Sequence, residues 1–341
     1  MCLVSPCCSP AIINTRCTIC RSSTRLLRRR NPIRNLSILV FAIIVFIFVL
    51  VEGILFYSLI RFRRRKQTDS PEPPQVYGSK PIEIAWTLGP VLIVFILVLV
   101  TVRTLYEVNV PPPQPKEGDN TLFVTVIGHQ WWWEYRYDYY NGKKLGFVTA
   151  NELHIPVSED KVPRPVHLNL QSADVCHSFW VPRLAGKTDL IPGRVNSMWF
   201  QTSETGLFLG QCAEYCGTQH AGMLIRVIVN TPSDFEKWVA NEQKPAVEEV
   251  KVSQGRKAFL AQTCVNCHRI NGTTAQGNYA PDLTHLMSRQ TLASGMVPNT
   301  PENLRRWVAD PQKIKEGALM PAFGLSEAEQ EAIVQYLLTL K

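Results

Sequence analysis

The chain has 341 residues, 45% of them hydrophobic, a formal net charge of +8 and a mean hydropathy near zero. That length allows one to three domains, and the composition fits membrane spans joined to a water-soluble part. Many of the basic residues lie before residue 67. This favours anionic lipid and topology control, and argues against nucleic acid binding, because no basic stripe with interleaved aromatics accompanies it.

Residues 1–35 read poorly. They lack a basic stretch before their apolar residues and contain no long apolar run, so they make neither a clean signal peptide nor a helix. A basic tail or a start codon placed too early is the expectation. Residues 36–60 are long and apolar enough to span a bilayer. Glu52 interrupts the run near its end and reads as a partner contact or as a residue at surface depth. The cluster Arg61 to Lys66 follows and should stay in the cytoplasm. A polar, proline-rich link covers 67–80. A second span covers about 84–106, with Glu83 at its start, where helix ends favour acidic residues. The two spans form an antiparallel hairpin, which places residue 107 onward outside. Basic residues at 16–34 would then also lie outside, against the usual bias.

Val110 to Pro115 reads as a stiff polyproline linker. A β domain over 107–240 follows. Leu122, Val124 and Val126 alternate with polar neighbours, as do Val166, Leu168 and Leu170, and 223–229 reads as another strand. Asn141-Gly142 and Pro192-Gly193 are turn signals. Several short strands at this spacing predict a sandwich or barrel. The domain carries Gly128-His-Gln-Trp131-Trp-Trp133-Glu-Tyr135, whose aromatics suit cross-strand packing. It also carries Asp174-Val-Cys176-His177-Ser-Phe and Cys212-Ala-Glu214-Tyr-Cys216-Gly-Thr-Gln-His220-Ala-Gly-Met223. Thiolate, imidazole and thioether together suit copper. Zinc would leave Met223 unused, and a disulfide between Cys212 and Cys216 would close too short a loop to stabilise much; both remain alternatives. By alternation Cys176 should point away from His177 as a buried bystander.

Residues 241–250 read as a linker broken at Lys244-Pro245. In 251–341, Cys264-Val-Asn-Cys267-His268 is the attachment motif for c-type haem: two thiols add to the vinyl groups and His268 binds iron. Helices are expected over 255–263, 301–309 and 326–340. The last has Ser326 as N-cap and Glu329 completing a capping box. Met287, Met296 and Met320 compete for the sixth iron position. Met320, within Leu319-Met320-Pro321-Ala-Phe323, is the expected ligand, and a His/Met pair raises haem potential.

Together these motifs resemble cytochrome c oxidase subunit II of the caa3 type, with a cytochrome c domain fused at the C-terminus. The pattern DVxHSF, then CxExCxxxHxxM, stands here in full, beside GHQWxWEY and the helix opening ExxWTxxP. The resemblance covers nearly everything from residue 36. It implies a Greek-key, cupredoxin-like barrel after the hairpin, then an all-α class I cytochrome c domain. It implies two coppers bridged by Cys212 and Cys216 and ligated by His177, His220, Met223 and the Glu214 carbonyl. The Glu214 side chain would share a magnesium with subunit I, and Glu83 would sit at a proton-path entrance. Trp131, Trp133 and Tyr135 would lie where electrons enter, Trp131 foremost. It further implies partnership with subunit I, subunit III and a cytochrome c donor in a bacterial cell membrane, with both metal domains outside. Oxygen would be reduced to water in subunit I, with proton pumping. The spans contain no histidine, so this chain holds no oxygen-reducing centre of its own. The rival reading is a membrane-anchored copper and haem carrier for another reductase, such as a nitric oxide reductase of the copper A type.

Overall fold

In the computed structural model the described residues are 30–63, 75, 77–108, 120–159, 161–247 and 250–341. Residues 1–29, most of the basic cluster after residue 63, most of the proline-rich link and the Val110–Pro115 linker lie outside them. The chain divides into two compact units, 1–111 and 112–341.

The first unit is a pair of helices, α1 (Arg30–Arg61) and α2 (Lys80–Val108). At about 1.5 Å per residue, the 32 residues of α1 reach roughly 48 Å, more than a hydrocarbon core of about 30 Å. Both helices run a few residues beyond the apolar stretches that announce them, since backbone hydrogen bonding need not stop where hydrophobicity does. Phe41, Phe46, Phe56, Leu92 and Phe95 are exposed around the helices, as lipid-facing side chains are. Thr87 donates its hydroxyl to the Glu83 carbonyl at 2.8 Å.

The second unit begins with a ten-stranded sandwich: β1 (Leu122–His129), β2 (Trp132–Tyr140), β3 (Lys143–Ala150), β4 (Glu152–Pro156), β5 (Val166–Ser172), β6 (His177–Trp180), β7 (Thr188–Leu190), β8 (Asn196–Phe200), β9 (Gly206–Cys212) and β10 (Leu224–Asn230). One sheet has the order β3-β2-β1-β5-β8 and the other β4-β10-β9-β6-β7. The parallel pairs β1–β5 and β4–β10 are the crossovers of a Greek-key sandwich. The predicted alternation holds: Leu122, Val124 and Val126 face Val166, Leu168 and Leu170 in register, and all six are fully buried. Asn141 and Gly142 turn β2 into β3 with φ of 51° and 71°, the geometry a two-residue hairpin demands. Helix α3 (Pro232–Glu242) closes one edge, capped by Thr231 and anchored by Phe235 and Val239.

Glu242, at the end of α3, is buried, and that burial pushes its carboxyl up to about 7. The unfolded chain releases this proton near the ordinary value of 4.5. Stability is therefore lost as pH rises from about 4.5 to about 7, at up to about 1.4 kcal/mol per unit. Glu242→Gln should flatten that slope, read as the thermal midpoint across the same window.

The helical part contains α4 (Ser253–Ala261), α5 (Cys264–Cys267), a short hairpin of β11 (Thr291–Leu292) and β12 (Val297–Pro298), α6 (Pro301–Ala309) and α7 (Glu327–Leu337). The capping box is present: Glu329 N–H donates to Ser326 Oγ, and Ser326 N–H to the Glu329 carboxylate. α4 crosses α7 at Gly255, where a Cβ would stand 2.0 Å from the Ala332 carbonyl oxygen. Backbone cannot yield as a side chain can, so Gly255→Ala should cost about 1–3 kcal/mol or more, measurable by thermal unfolding. Phe259, Leu304, Val308, Ile333 and Leu337 form the second core.

Candidate metal centres and their junction

β6 begins at His177 and β9 ends at Cys212, and Phe179 lies opposite Cys212. The loop from Ala213 to Met223 folds back under both strands. Cys212 N–H donates to the Met223 carbonyl, and Ala213 N–H to the Ser178 carbonyl, each at 3.0 Å. Five side chains thereby converge. The sulfurs of Cys212 and Cys216 stand 3.8 Å apart, well beyond an S–S bond of about 2.05 Å. His177 Nδ1 is 3.9 Å from Cys212 Sγ, and His220 Nδ1 is 3.7 Å from Cys216 Sγ. Met223 Sδ is 3.9 Å from Cys216 Sγ. The Glu214 carbonyl oxygen is 3.2 Å from Cys212 Sγ, while its side chain is exposed. His177, Cys212, Cys216 and Met223 are buried.

The surroundings orient these groups. Asp174 Oδ1 holds His177 Nε2 at 2.8 Å, leaving Nδ1 for the sulfurs. Burial works against charge on His177, but the Asp174 bond prevails and holds it above the ordinary value. Asp174 is itself fixed by the main-chain N–H groups of Gln130 and Val175. A Cβ on Gly128 would meet His177 Cδ2 at 2.7 Å, so this glycine lets β1 pass the imidazole. The hydrogen bond between the two thiols holds Cys212 below the usual thiol range and Cys216 above it, so Cys212 is the first of the pair to ionise. A thiolate is the form that binds metal.

This donor set fits copper: two thiolates, two imidazole nitrogens, a thioether and a carbonyl. Structural zinc would be complete with the Cys and His groups alone, leaving Met223 unexplained. Cys176 is exposed, not buried as alternation suggested. It precedes β6, outside the sandwich, so it does point away from His177, but into solvent.

The second site is a cavity with about 1410 Å³ of empty space, including the part open to solvent. Cys264, Cys267, His268 and Met320 line it, among apolar walls that include Phe259, Leu304 and Ile333. His268 Nδ1 lies 2.8 Å from the Pro281 carbonyl and donates to it, which leaves Nε2 as the free nitrogen. Burial holds this imidazole below its usual value, hence neutral. Gln312 bonds the carbonyls of Ala318 and Met320 and so steadies the methionine loop. Met287 and Met296 do not line the cavity. The Met296 sulfur instead packs at Gly222, 3.0 Å from where a Cβ would stand. Two thiols, a neutral histidine, a methionine and an apolar cavity fit a covalently attached haem.

The two sites meet. Gln130, Trp131 and Trp132, from the sandwich, line the cavity of the helical part. The Trp131 indole N–H donates to the Cys216 carbonyl at 2.9 Å, and Gln130 Nε2 to the same oxygen at 2.7 Å. Around this point Gln219 bonds the Glu316 carbonyl, Arg226 bonds Gln290, and Glu152 accepts from Gln290 N–H and the Thr291 hydroxyl. Trp133 and Tyr135 are fully buried in the sandwich core, with the Trp133 ring edge-on to His177 at 6.1 Å. Sequence reading gave no role to Gln130, Asp174 or Lys315. Asp174 and Gln130 each stood inside a quoted motif, but nothing local marks Lys315.

Comparison with known proteins gives three adjoining matches. Residues 27–104 match the transmembrane domain of cytochrome c oxidase subunit II, 122–230 its periplasmic domain, and 252–341 cytochrome c. Cytochrome c oxidase subunit 2 of Alkalihalophilus pseudofirmus is 38% identical over 310 residues, covering 90% of this chain and 85% of that one. The chain belongs to the cytochrome c oxidase subunit II family. The subunit 2 of Bacillus sp. strain PS3 is 35% identical over 296 residues, 82% of this chain and 80% of its own. The crystallised periplasmic domain of subunit II from Bradyrhizobium japonicum is 32% identical, with a TM-score of 0.33, covering 38% of this chain and 96% of that one. As a subunit II with a fused cytochrome c domain, the chain is membrane-anchored and part of an oxidoreductase complex with a subunit I and a cytochrome c donor. Its two soluble domains imply copper and haem c.

Proposed function

We propose that this chain is the electron-entry subunit of a bacterial, proton-pumping cytochrome c oxidase of the caa3 type. Cys212 and Cys216 would bridge two coppers, with His177, His220, Met223 and the Glu214 carbonyl completing the set. Cys264 and Cys267 would hold a haem, and His268 and Met320 would supply ligands to its iron. When bound, these groups supply two one-electron stations in series, ahead of oxygen reduction in subunit I.

The observation that carries this reading is Trp131. Its ring forms part of the haem cavity wall, and its N–H holds the carbonyl of a copper-bridging cysteine. It thus links one site to the other through a single hydrogen bond, beside Gln130, which lines the same cavity and donates to the same carbonyl. Trp133 supports the path from within the core, against His177, and Tyr135 packs in the same layer. Because the fused domain covers Trp131, an external cytochrome c would dock on the cytochrome domain. Glu83 suits a proton entrance, and the exposed Glu214 carboxylate suits a magnesium shared with subunit I. A subunit III and an outer-face location complete the proposal.

Trp131→Leu keeps the cavity apolar but removes both the ring and the N–H. Cytochrome-driven oxygen consumption should fall at least about tenfold, a barrier change of about 1.4 kcal/mol, with copper and haem contents unchanged. Undiminished turnover would remove Trp131 from the path.

A further inference from the structure

Lys315 follows a helical turn at Pro311–Lys313 in the cytochrome domain. Its side chain leaves that domain and is 4% exposed. The ammonium donates to the carbonyls of Trp131 at 2.7 Å, Gly222 at 2.9 Å and Ala293 at 3.2 Å. All three of its protons are thereby used. Trp131 is the bridge described above. Gly222 lies between His220 and Met223 on the copper loop, and Ala293 is in the cytochrome domain's own turn. One cation therefore ties the aromatic bridge, the copper loop and the haem domain at a single point.

We propose that Lys315 is a positioning residue that fixes the haem cavity against the copper loop and so sets the geometry for electron transfer between them. The proposal rests on the two-station reading. Among the described residues no carboxylate pairs with Lys315, and the three carbonyls take all its hydrogen bonds. Burying such a group is costly unless every donor is satisfied, and an apolar side chain of like size would usually pack more stably. Burial pulls this ammonium down to about 7, against the opposing influence of Cys216. A greasy contact could slide. Three directed bonds cannot, and a unique arrangement is what such buried polar groups provide. Removing the cation should free both partners to shift, and small displacements at a reacting pair cost rate steeply.

The test uses the full chain with its metals, in Lys315→Met, Lys315→Gln and Gln290→Ala forms. Copper and haem content of the wild type is measured first, because a deficit there sinks the two-station reading itself. Flash reduction then follows one electron leaving the reduced haem and entering the oxidised copper pair, with no proton moved. Lys315→Met should equilibrate at least about tenfold more slowly, and Lys315→Gln should also be slowed. Amide hydrogen exchange across 219–226 and 290–296 should rise in both, a readout independent of the metals. Gln290→Ala removes an exposed junction bond to Arg226 and should leave the rate unchanged. Wild-type rates in the Lys315 variants, or an equal slowing by Gln290→Ala, would overturn the proposal.

Discussion

Cys216→Ser should strip the chain of copper and leave its haem. The reason is the position of one sulfur. Cys216 Sγ lies within 4 Å of Cys212 Sγ, His220 Nδ1 and Met223 Sδ together. Cys212 Sγ is its counterpart, within 4 Å of Cys216 Sγ, His177 Nδ1 and the Glu214 carbonyl. A serine oxygen is a harder, far less acidic donor, unsuited to a site selected by soft ligands. Cytochrome-driven oxygen reduction should fall by more than about a hundredfold, which is about 2.7 kcal/mol or more of barrier. Haem absorbance should persist, because the haem cavity is built mainly on a separate core. His220→Ala should be milder, since His220 stands at the half-buried edge of the site and approaches only Cys216. Elemental analysis with reduced and oxidised optical spectra checks both variants.

Replacing Cys264 and Cys267 together by alanine should give the reverse pattern: copper kept, iron lost. The effect on stability should also be large. The cavity they border is walled by core residues such as Phe259, Leu304, Ile333 and Leu337. Without haem those side chains face a void or water. A group bound a thousandfold above its dissociation constant contributes about 4 kcal/mol, and covalent attachment exceeds that. The cytochrome part should unfold at a lower temperature than in the wild type. Trp131, no longer against a filled cavity, should become more accessible to fluorescence quenchers. Copper content near that of the wild type would show that the sandwich folds without its neighbour.

The candidate copper donors were legible in the sequence because four of them fall within one loop, where order and spacing survive folding. His177 was legible for a related reason: it opens a strand that must pass beside that loop. Met320 could be separated from Met287 and Met296 by its proline and aromatic neighbours, and it is the one of the three that lines the cavity. Alternation gave the direction of Cys176 but not its exposure, because the residue lies just before its strand. The run Trp131 to Tyr135 was harder. One residue of offset puts Trp133 and Tyr135 into the core and Trp131 into the junction, and aromatic residues suit both places. Lys315 was invisible. In Lys313-Ile-Lys315-Glu316-Gly317 it reads as a solvated lysine, and only contacts with residues 93 and 184 positions away bury it. Junctions between domains are built from such distant pairs, which local periodicity does not encode.

On the proposed reading one chain carries two metal centres of different kind, joined at Trp131. Metal analysis of the purified full-length chain, combined with electron paramagnetic resonance of its oxidised form, tests that most directly. The account predicts two coppers for each haem iron and a copper signal split by one electron shared equally between two copper nuclei. A single copper with an unshared electron, or haem iron without copper, would contradict it.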